Sequence, residues 1–122
     1  MAPHLYGIKM KLIIAYIRPE RLNQVKQALY ENAVFRMSVT NALGCGQQGG
    51  FVEHYRGAEQ EVNLHKKMRI EIAVNDEYLD STVAALVEGA RTEEIGDGKI
   101  FVMEMIDCVR VRTGESGPEA IG

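Results

Sequence analysis

The stretch Met10-Lys-Leu-Ile-Ile-Ala-Tyr-Ile17 decides the fold. It is apolar at both parities, with Leu12, Ile14 and Tyr16 on one face and Ile13, Ala15 and Ile17 on the other. A strand of this kind is covered on both sides. Immediately after it, Leu22, Val25 and Leu29 recur at helical spacing behind Pro19 and Glu20, which suit a first turn, so a helix is predicted over Pro19–Asn32. Val34–Cys45 contains Val34, Val39, Thr40 and Leu43 and runs into glycines, which predicts a second strand. Gly46–His65 is polar and glycine-rich with no sustained period and reads as a long mobile loop. Loops of about 20 residues in small domains tend to carry function. Met68, Ile70, Ile72 and Val74 then alternate with Arg69, Glu71 and Ala73 as a third strand, and Asp76 is placed to cap a helix carrying Leu79, Val83, Leu86 and Ala90. Thr92–Lys99 is a turn, and Ile100–Thr113 alternates as a final strand or a bent pair before a Gly, Pro and Glu tail.

Strand, helix, strand, long loop, strand, helix, strand is the split βαβ order of a ferredoxin-like α+β sandwich. Two helices cover one face of such a sheet. Because the first strand is apolar on both faces, another copy of the chain is the economical cover for the second, and an obligate homo-oligomer is expected.

The 122 residues suffice for one domain, assigned to 10–122, with Met1–Lys9 set apart as a leader or an upstream start before Met10. Hydrophobic residues make up 46% and charged residues 25%, which excludes a disordered or collagen-like chain. Fourteen Lys and Arg against 17 Asp and Glu give a formal charge of -3, so no broad field draws in a nucleic acid. An anionic ligand must be held by a local cluster. Cys45 and Cys108 form no CxxC pair and read as reduced, packed thiols. No apolar stretch reaches the roughly 18 residues of a spanning helix and no signal peptide opens the chain, so a cytoplasmic protein is expected.

Gly44-Cys-Gly46-Gln-Gln-Gly49 matches the dinucleotide fingerprint only formally, since no helix follows to meet a pyrophosphate. Ile95-Gly-Asp-Gly-Lys-Ile-Phe101 lacks Walker spacing, yet its two glycines let backbone N–H groups converge in a nest with Lys99 at the rim. Near the end, Arg110 and Arg112 share parity and would project from one strand face to grip an anion with forked guanidinium groups. Taken together in an acidic chain, these features favour a polyphosphate site. His4, His54 and His65 have no metal-ligand spacing and read as surface residues. No nucleophile stands beside a base, and Ser38 and Ser81 lie in no elbow.

At Tyr55-Arg-Gly-Ala-Glu59, Ile95–Phe101 and Arg110-Val-Arg-Thr-Gly-Glu115 the chain resembles the PII signal-transduction proteins, in order and spacing from Met10 to about Glu115. The resemblance assigns about 46–65 to the family's T-loop, Thr92–Lys99 to its B-loop and Arg112–Pro118 to its C-loop. It implies a non-enzymatic homotrimer that binds ATP or ADP competitively in the clefts between subunits. Gly96, Asp97, Gly98 and Lys99 would cradle the phosphates, Arg110 and Arg112 would reach them from the neighbour, and Ser38, Gly46, Glu71 and Ala73 would line the pocket. It also implies 2-oxoglutarate sensing through Mg2+ and ATP, with Gln48 on the metal, and Gln48, Gly50 and Lys67 at the effector. Implied partners are a target transporter or metabolic enzyme of nitrogen metabolism, with membrane contact only through such a transporter.

Four departures mark the chain. Gln47 and Gly49 stand where the family usually has Arg and Lys, Cys45 replaces a usual Phe, and Gln60 and Ala58 occupy the positions of the uridylylated tyrosine and the phosphorylated serine. Neither covalent switch operates at those positions, which leaves control by ligands. The loss of two charges keeps open a carbon-side regulator that responds to ADP or AMP and bicarbonate. A small ATP-hydrolysing enzyme would need Asp97 as its base, though a turn role explains that residue more simply. A bare structural oligomer is the remaining alternative.

Overall fold

A computed structural model describes residues 9–45, 51–55, 58–62 and 64–122. A four-stranded antiparallel sheet runs in the order β2-β5-β1-β6, built from β1 (Met10–Ile17), β2 (Ser38–Cys45), β5 (Leu64–Asn75) and β6 (Gly98–Glu104). Two helices, α1 (Leu22–Glu31) and α2 (Leu79–Ala90), pack against it, each entered through a short 3-10 turn, Pro19–Arg21 and Asp76–Tyr78. This is the split βαβ arrangement: β1 and β2, joined by α1, are separated in the sheet by β5.

The parity of β1 works as its sequence requires. Ile13, Ala15 and Ile17 are buried with Ile70, Ile72 and Val74 of β5, and Val25, Ala28 and Leu29 of α1 and Ala85, Leu86 and Ala90 of α2 close over them. Gly89 permits the helices to approach this closely, because a Cβ there would sit 2.6 Å from the Cα of Val25. Arg21 adds a hydrogen bond from Nε to the Gly89 carbonyl at 2.9 Å. Helix α1 stops where Ala33 takes a left-handed φ of 60° and Val34 N–H returns to the Leu29 carbonyl at 2.9 Å, with Val34 buried as the apolar stop.

Among the described residues no helix covers the other sheet face. Strand register puts Leu12, Ile14 and Tyr16 of β1 beside Phe101 and Met103 of β6 and Arg69, Glu71 and Ala73 of β5. Phe101 is 48% and Met103 42% exposed in a single chain, so a contiguous apolar patch faces water.

Three expectations need correction. The segment assigned as an aperiodic loop, 46–65, contains an antiparallel pair, β3 (Phe51–Tyr55) with β4 (Ala58–Val62), and β5 begins already at Leu64. Backbone pairing does not require the side-chain alternation that sequence reading looks for. Asp76 makes no capping hydrogen bond; its carboxylate accepts from Lys11 Nζ at 2.6 Å and so ties the start of α2 to β1. The last strand ends at Glu104 rather than Thr113, and the chain beyond forms an isolated bridge between Val109 and Ser116 and a short 3-10 turn at Pro118–Ala120.

Candidate functional site

Strands β2 and β5 stay paired as far as Cys45 and Leu64, whereas β1 ends at Ile17, opposite Met68. The overhang leaves a notch beyond the end of β1. The turn after α2 fills one side of it, because Gly98 starts β6 opposite Ile17.

This turn is held by one carboxylate. Asp97 accepts from the Thr92 N–H at 2.7 Å, the Glu93 N–H at 2.8 Å, the Thr92 hydroxyl and Arg18 Nε at 3.1 Å. Burial alone would push its carboxyl up, but the donors from Thr92, Arg18 and Glu93 outweigh that and hold it well below the usual carboxylate range. A carboxylate depressed in the folded state contributes stability that is present above its unfolded value, near pH 4, and is lost as pH falls toward its folded value. Asp97→Asn is therefore expected to reduce stability at pH 7 while flattening the acid limb between about pH 4 and 2 in urea titrations.

Arg18 donates from Nη2 to the Ile95 carbonyl at 2.6 Å, and Lys67 Nζ donates to the Gly96 carbonyl at 2.5 Å. With those carbonyls turned toward cations, Gly96 and Gly98 take φ values of +100° and +112°. Both lie in the left-handed region that lets successive N–H groups converge on an anion. Lys99, exposed, stands opposite Tyr16 at the edge of the open sheet face.

The same face collects four more residues singled out in the sequence. Ser38 lies opposite Glu71, Ala73 opposite Leu12, and Lys67 opposite Ala42, all at the parity of Ile14 and Tyr16. Glu71 is paired with Arg69 Nη1 at 2.9 Å. Burial pulls the Lys67 ammonium below its ordinary value and the Arg18 guanidinium adds to that, against the opposing carboxylates of Glu20 and Asp97. Gly46, Gln48 and Gly50 lie outside the described residues.

Arg110 and Arg112 are not brought to one strand face, which corrects the parity argument. Residues 111–113 form a turn. Arg110 donates to the Glu115 carboxylate and, from Nη2, to the carbonyls of Glu119 at 3.1 Å and Gly122 at 2.7 Å, while Arg112 is exposed. Both belong to the opposite end of the sheet: Met105 N–H bonds to the Met10 carbonyl, and Asn75, opposite Met10, donates to the Pro118 carbonyl. A seven-residue strand spans about 20 Å. Within one protomer the glycine turn and the two arginines are therefore too far apart to hold one phosphate group.

Arg18, which ties the glycine turn to the end of β1, is the residue of this candidate site that sequence reading missed. Its partners are 77 and 79 positions away, and only the pairing of Ile17 with Gly98 brings them together. Among the described residues no group of three or more His, Cys, Asp or Glu could hold a metal by itself.

The family model for nitrogen regulatory protein P-II matches residues 10–115. The chain belongs to that family. Nitrogen regulatory protein GlnK1 of Methanosarcina mazei is 47% identical over 116 residues, covering 93% of this chain and 99% of the relative. Nitrogen regulatory protein P-II of Rhodobacter capsulatus is 46% identical over 112 residues, covering 92% of this chain and all of the relative. Among solved structures, the B. subtilis GlnK–ATP complex superposes with a TM-score of 0.77 at 31% identity, over 92% of this chain and 95% of that one. Arabidopsis thaliana PII bound to citrate superposes with a TM-score of 0.74 at 34% identity, over 93% and 90%. The P-II chain described here is thus a signalling protein of a regulatory class, not an enzyme, and Asp97 is left with the turn-organising role its hydrogen bonds describe.

Proposed function

We propose that this P-II protein is a trimeric sensor in which ATP and ADP compete for a cleft formed by two copies of the chain. The observation that carries the reading is the separation of the anion-binding groups: a glycine turn with Lys99 at one end of the sheet and Arg110 with Arg112 at the other. A head-to-tail neighbour packed on the open apolar face supplies the arginines to the turn, and a ring of such contacts closes without a two-fold axis. Ser38, Glu71 and Ala73 line the cleft beside Ile14 and Phe101, and Gly96 to Lys99 cradle the phosphates. The ATP complex of the B. subtilis relative supports the choice of nucleotide.

2-Oxoglutarate is the proposed second effector, bound with Mg2+ and ATP. Mg2+ prefers oxygen ligands and is usually held by substrate phosphates with few protein groups. The lack of a self-sufficient metal cluster among the described residues fits this mode, with Gln48 adding an amide oxygen and Gly50 a backbone contact. Lys67, in the notch beside Gly96, offers the cation for a carboxylate. The segment 46–65 then carries the ligand state to a target transporter or metabolic enzyme of nitrogen metabolism, without the covalent switches that Gln60 and Ala58 preclude. The neutral Gln47 and Gly49 favour a second reading in which ADP or AMP and bicarbonate are the effectors.

Calorimetric titration separates the two. The expected result is competitive binding of ATP and ADP, with 2-oxoglutarate binding only when Mg2+ and ATP are present and weakened at least tenfold in Lys67→Ala, the order of one charge-assisted hydrogen bond. Binding of bicarbonate without any of 2-oxoglutarate selects the second reading. Absence of all nucleotide binding refutes both.

A further inference from the structure

Arg110, proposed above to reach a neighbour's phosphate, is already surrounded by acceptors from its own chain. Its Nη1 donates to the Glu115 carboxylate, and its Nη2 donates to two backbone carbonyls, Glu119 at 3.1 Å and Gly122 at 2.7 Å. The fold holds these acceptors in place. Val109 bridges to Ser116, the Arg110 N–H bonds to the Glu115 carbonyl at 2.9 Å, and the Gly117 N–H bonds to the Cys108 carbonyl at 3.0 Å. Gly117, with φ of 87°, then turns the chain into the 3-10 turn Pro118–Ala120. Asn75 at the end of β5 donates to the Pro118 carbonyl at 3.2 Å, and Ala120 is buried at 8% exposure. One side-chain hydrogen bond and one small buried side chain make a weak latch.

We propose that residues 118–122 form a strap that competes with nucleotide phosphate for Arg110, so that ATP or ADP bound at one chain's glycine turn releases the tail of the neighbour that supplies the arginines. The inference deepens the nucleotide reading above and rests on Arg110 belonging to that site. A guanidinium grips phosphate with two parallel N–H bonds. It offers two such forks, end-on through Nη1 and Nη2 and side-on through Nε and Nη2, and both need a hydrogen on Nη2. That nitrogen has two hydrogens, and two carbonyls accept from it. The docked tail therefore leaves Arg110 separate donors but no open fork, and the Glu115 carboxylate balances its charge. Arg112, two residues on, is exposed. Phosphate oxygens carry the negative charge that the carbonyls lack, so a bound nucleotide displaces them from Nη2 and the tail lets go. The tail lies at the end of the sheet away from its own chain's glycine turn, and its release changes the surface there.

The test reads the tail of the full chain by 15N relaxation, free and saturated with Mg2+ and ATP, alongside calorimetry of wild type, Ala120→Gln and Asn75→Ala. Ala120→Gln puts a larger polar side chain where Ala120 is buried, and Asn75→Ala removes the bond to the Pro118 carbonyl. Neither residue belongs to the proposed cleft. The expected result is that Ile121 and Gly122 are ordered in the free protein and mobile on the nanosecond scale with ATP bound. Both variants bind ATP about three- to tenfold more tightly, the gain expected when the tail is docked roughly 70–90% of the time. In an Arg110→Ala background the same two substitutions leave ATP affinity unchanged, which a merely structural effect of the tail would not produce. Urea unfolding shows that the variants fold, and relaxation of the wild type decides the matter if one does not. A tail that stays ordered with ATP bound overturns the inference and leaves the nucleotide reading standing, as does unchanged or weaker ATP binding in both folded variants. If wild type binds no ATP, binding gained in the loosened variants supports the strap, and its absence there overturns the strap together with the nucleotide reading.

Discussion

Replacing Gly98 by valine is expected to lower the unfolding free energy by about 4 kcal/mol and to abolish nucleotide binding. The backbone at Gly98 has φ of +112°, a region that costs a side-chain-bearing residue about 1–3 kcal/mol. The added Cβ would also fall 1.7 Å from the Tyr16 carbonyl oxygen, so strand β6 must move away from β1. Overpacking of that kind adds about 1–3 kcal/mol. The same movement displaces Lys99 and the turn it follows. Gly114, with φ of +75° but open space around its Cβ, is the control: alanine there meets backbone strain alone. Urea unfolding of both variants checks the difference, and a Gly98 variant as stable as the Gly114→Ala control would show that the close approach to Tyr16 is not a constraint.

Removing either half of the proposed phosphate site is expected to be nearly as damaging to binding as that collapse, with the fold intact. On the proposed cleft, Lys99→Ala and Arg112→Ala would each delete a charge-assisted contact of about 1.5–3 kcal/mol, an expected loss of ATP affinity of roughly ten- to a hundredfold. Both side chains are exposed in the single chain, so neither substitution opens the core. Arg110→Ala is a less clean probe, because Arg110 also ties Glu115 and the carbonyls of Glu119 and Gly122 together. Its loss would mix a change of tail conformation with a loss of ligand contact. Calorimetry on the Lys99 and Arg112 variants, with unfolding curves alongside, separates binding from folding.

The core and topology were legible in the sequence because burial imposes a period. Ile13, Ala15 and Ile17, the alternation from Met68 to Val74, and Leu22, Val25 and Leu29 all have neighbours of known parity, and each lies in the core or packed against it. The two-sided β1 also announced a face that one chain leaves open. The limits of sequence reading fall where side chains do not decide the backbone. Strands β3 and β4 pair through the backbone in a stretch whose sequence has no sustained alternation. The segment after Glu104 alternates well enough to pass for a strand, but it turns at 111–113 because Arg110 and Gly114 bond to each other through the backbone at 2.7 Å. Arg18 carries no local signal at all. Its role comes from two strands meeting end to end, and so does the notch that gathers it with Lys67 and His65.

Mixing two inactive variants tests most directly whether the nucleotide site is shared between copies. Lys99→Ala and Arg112→Ala chains, each deficient in ATP binding when alone, are unfolded together, refolded in equal amounts and titrated with ATP. If one protomer provides the turn and its neighbour the arginines, random assembly pairs an intact turn with an intact Arg112 at about one quarter of the sites, and those sites bind ATP with wild-type affinity. Recovery of no site in mixtures shown to have exchanged chains would mean that each copy holds its nucleotide alone, and would contradict the shared cleft.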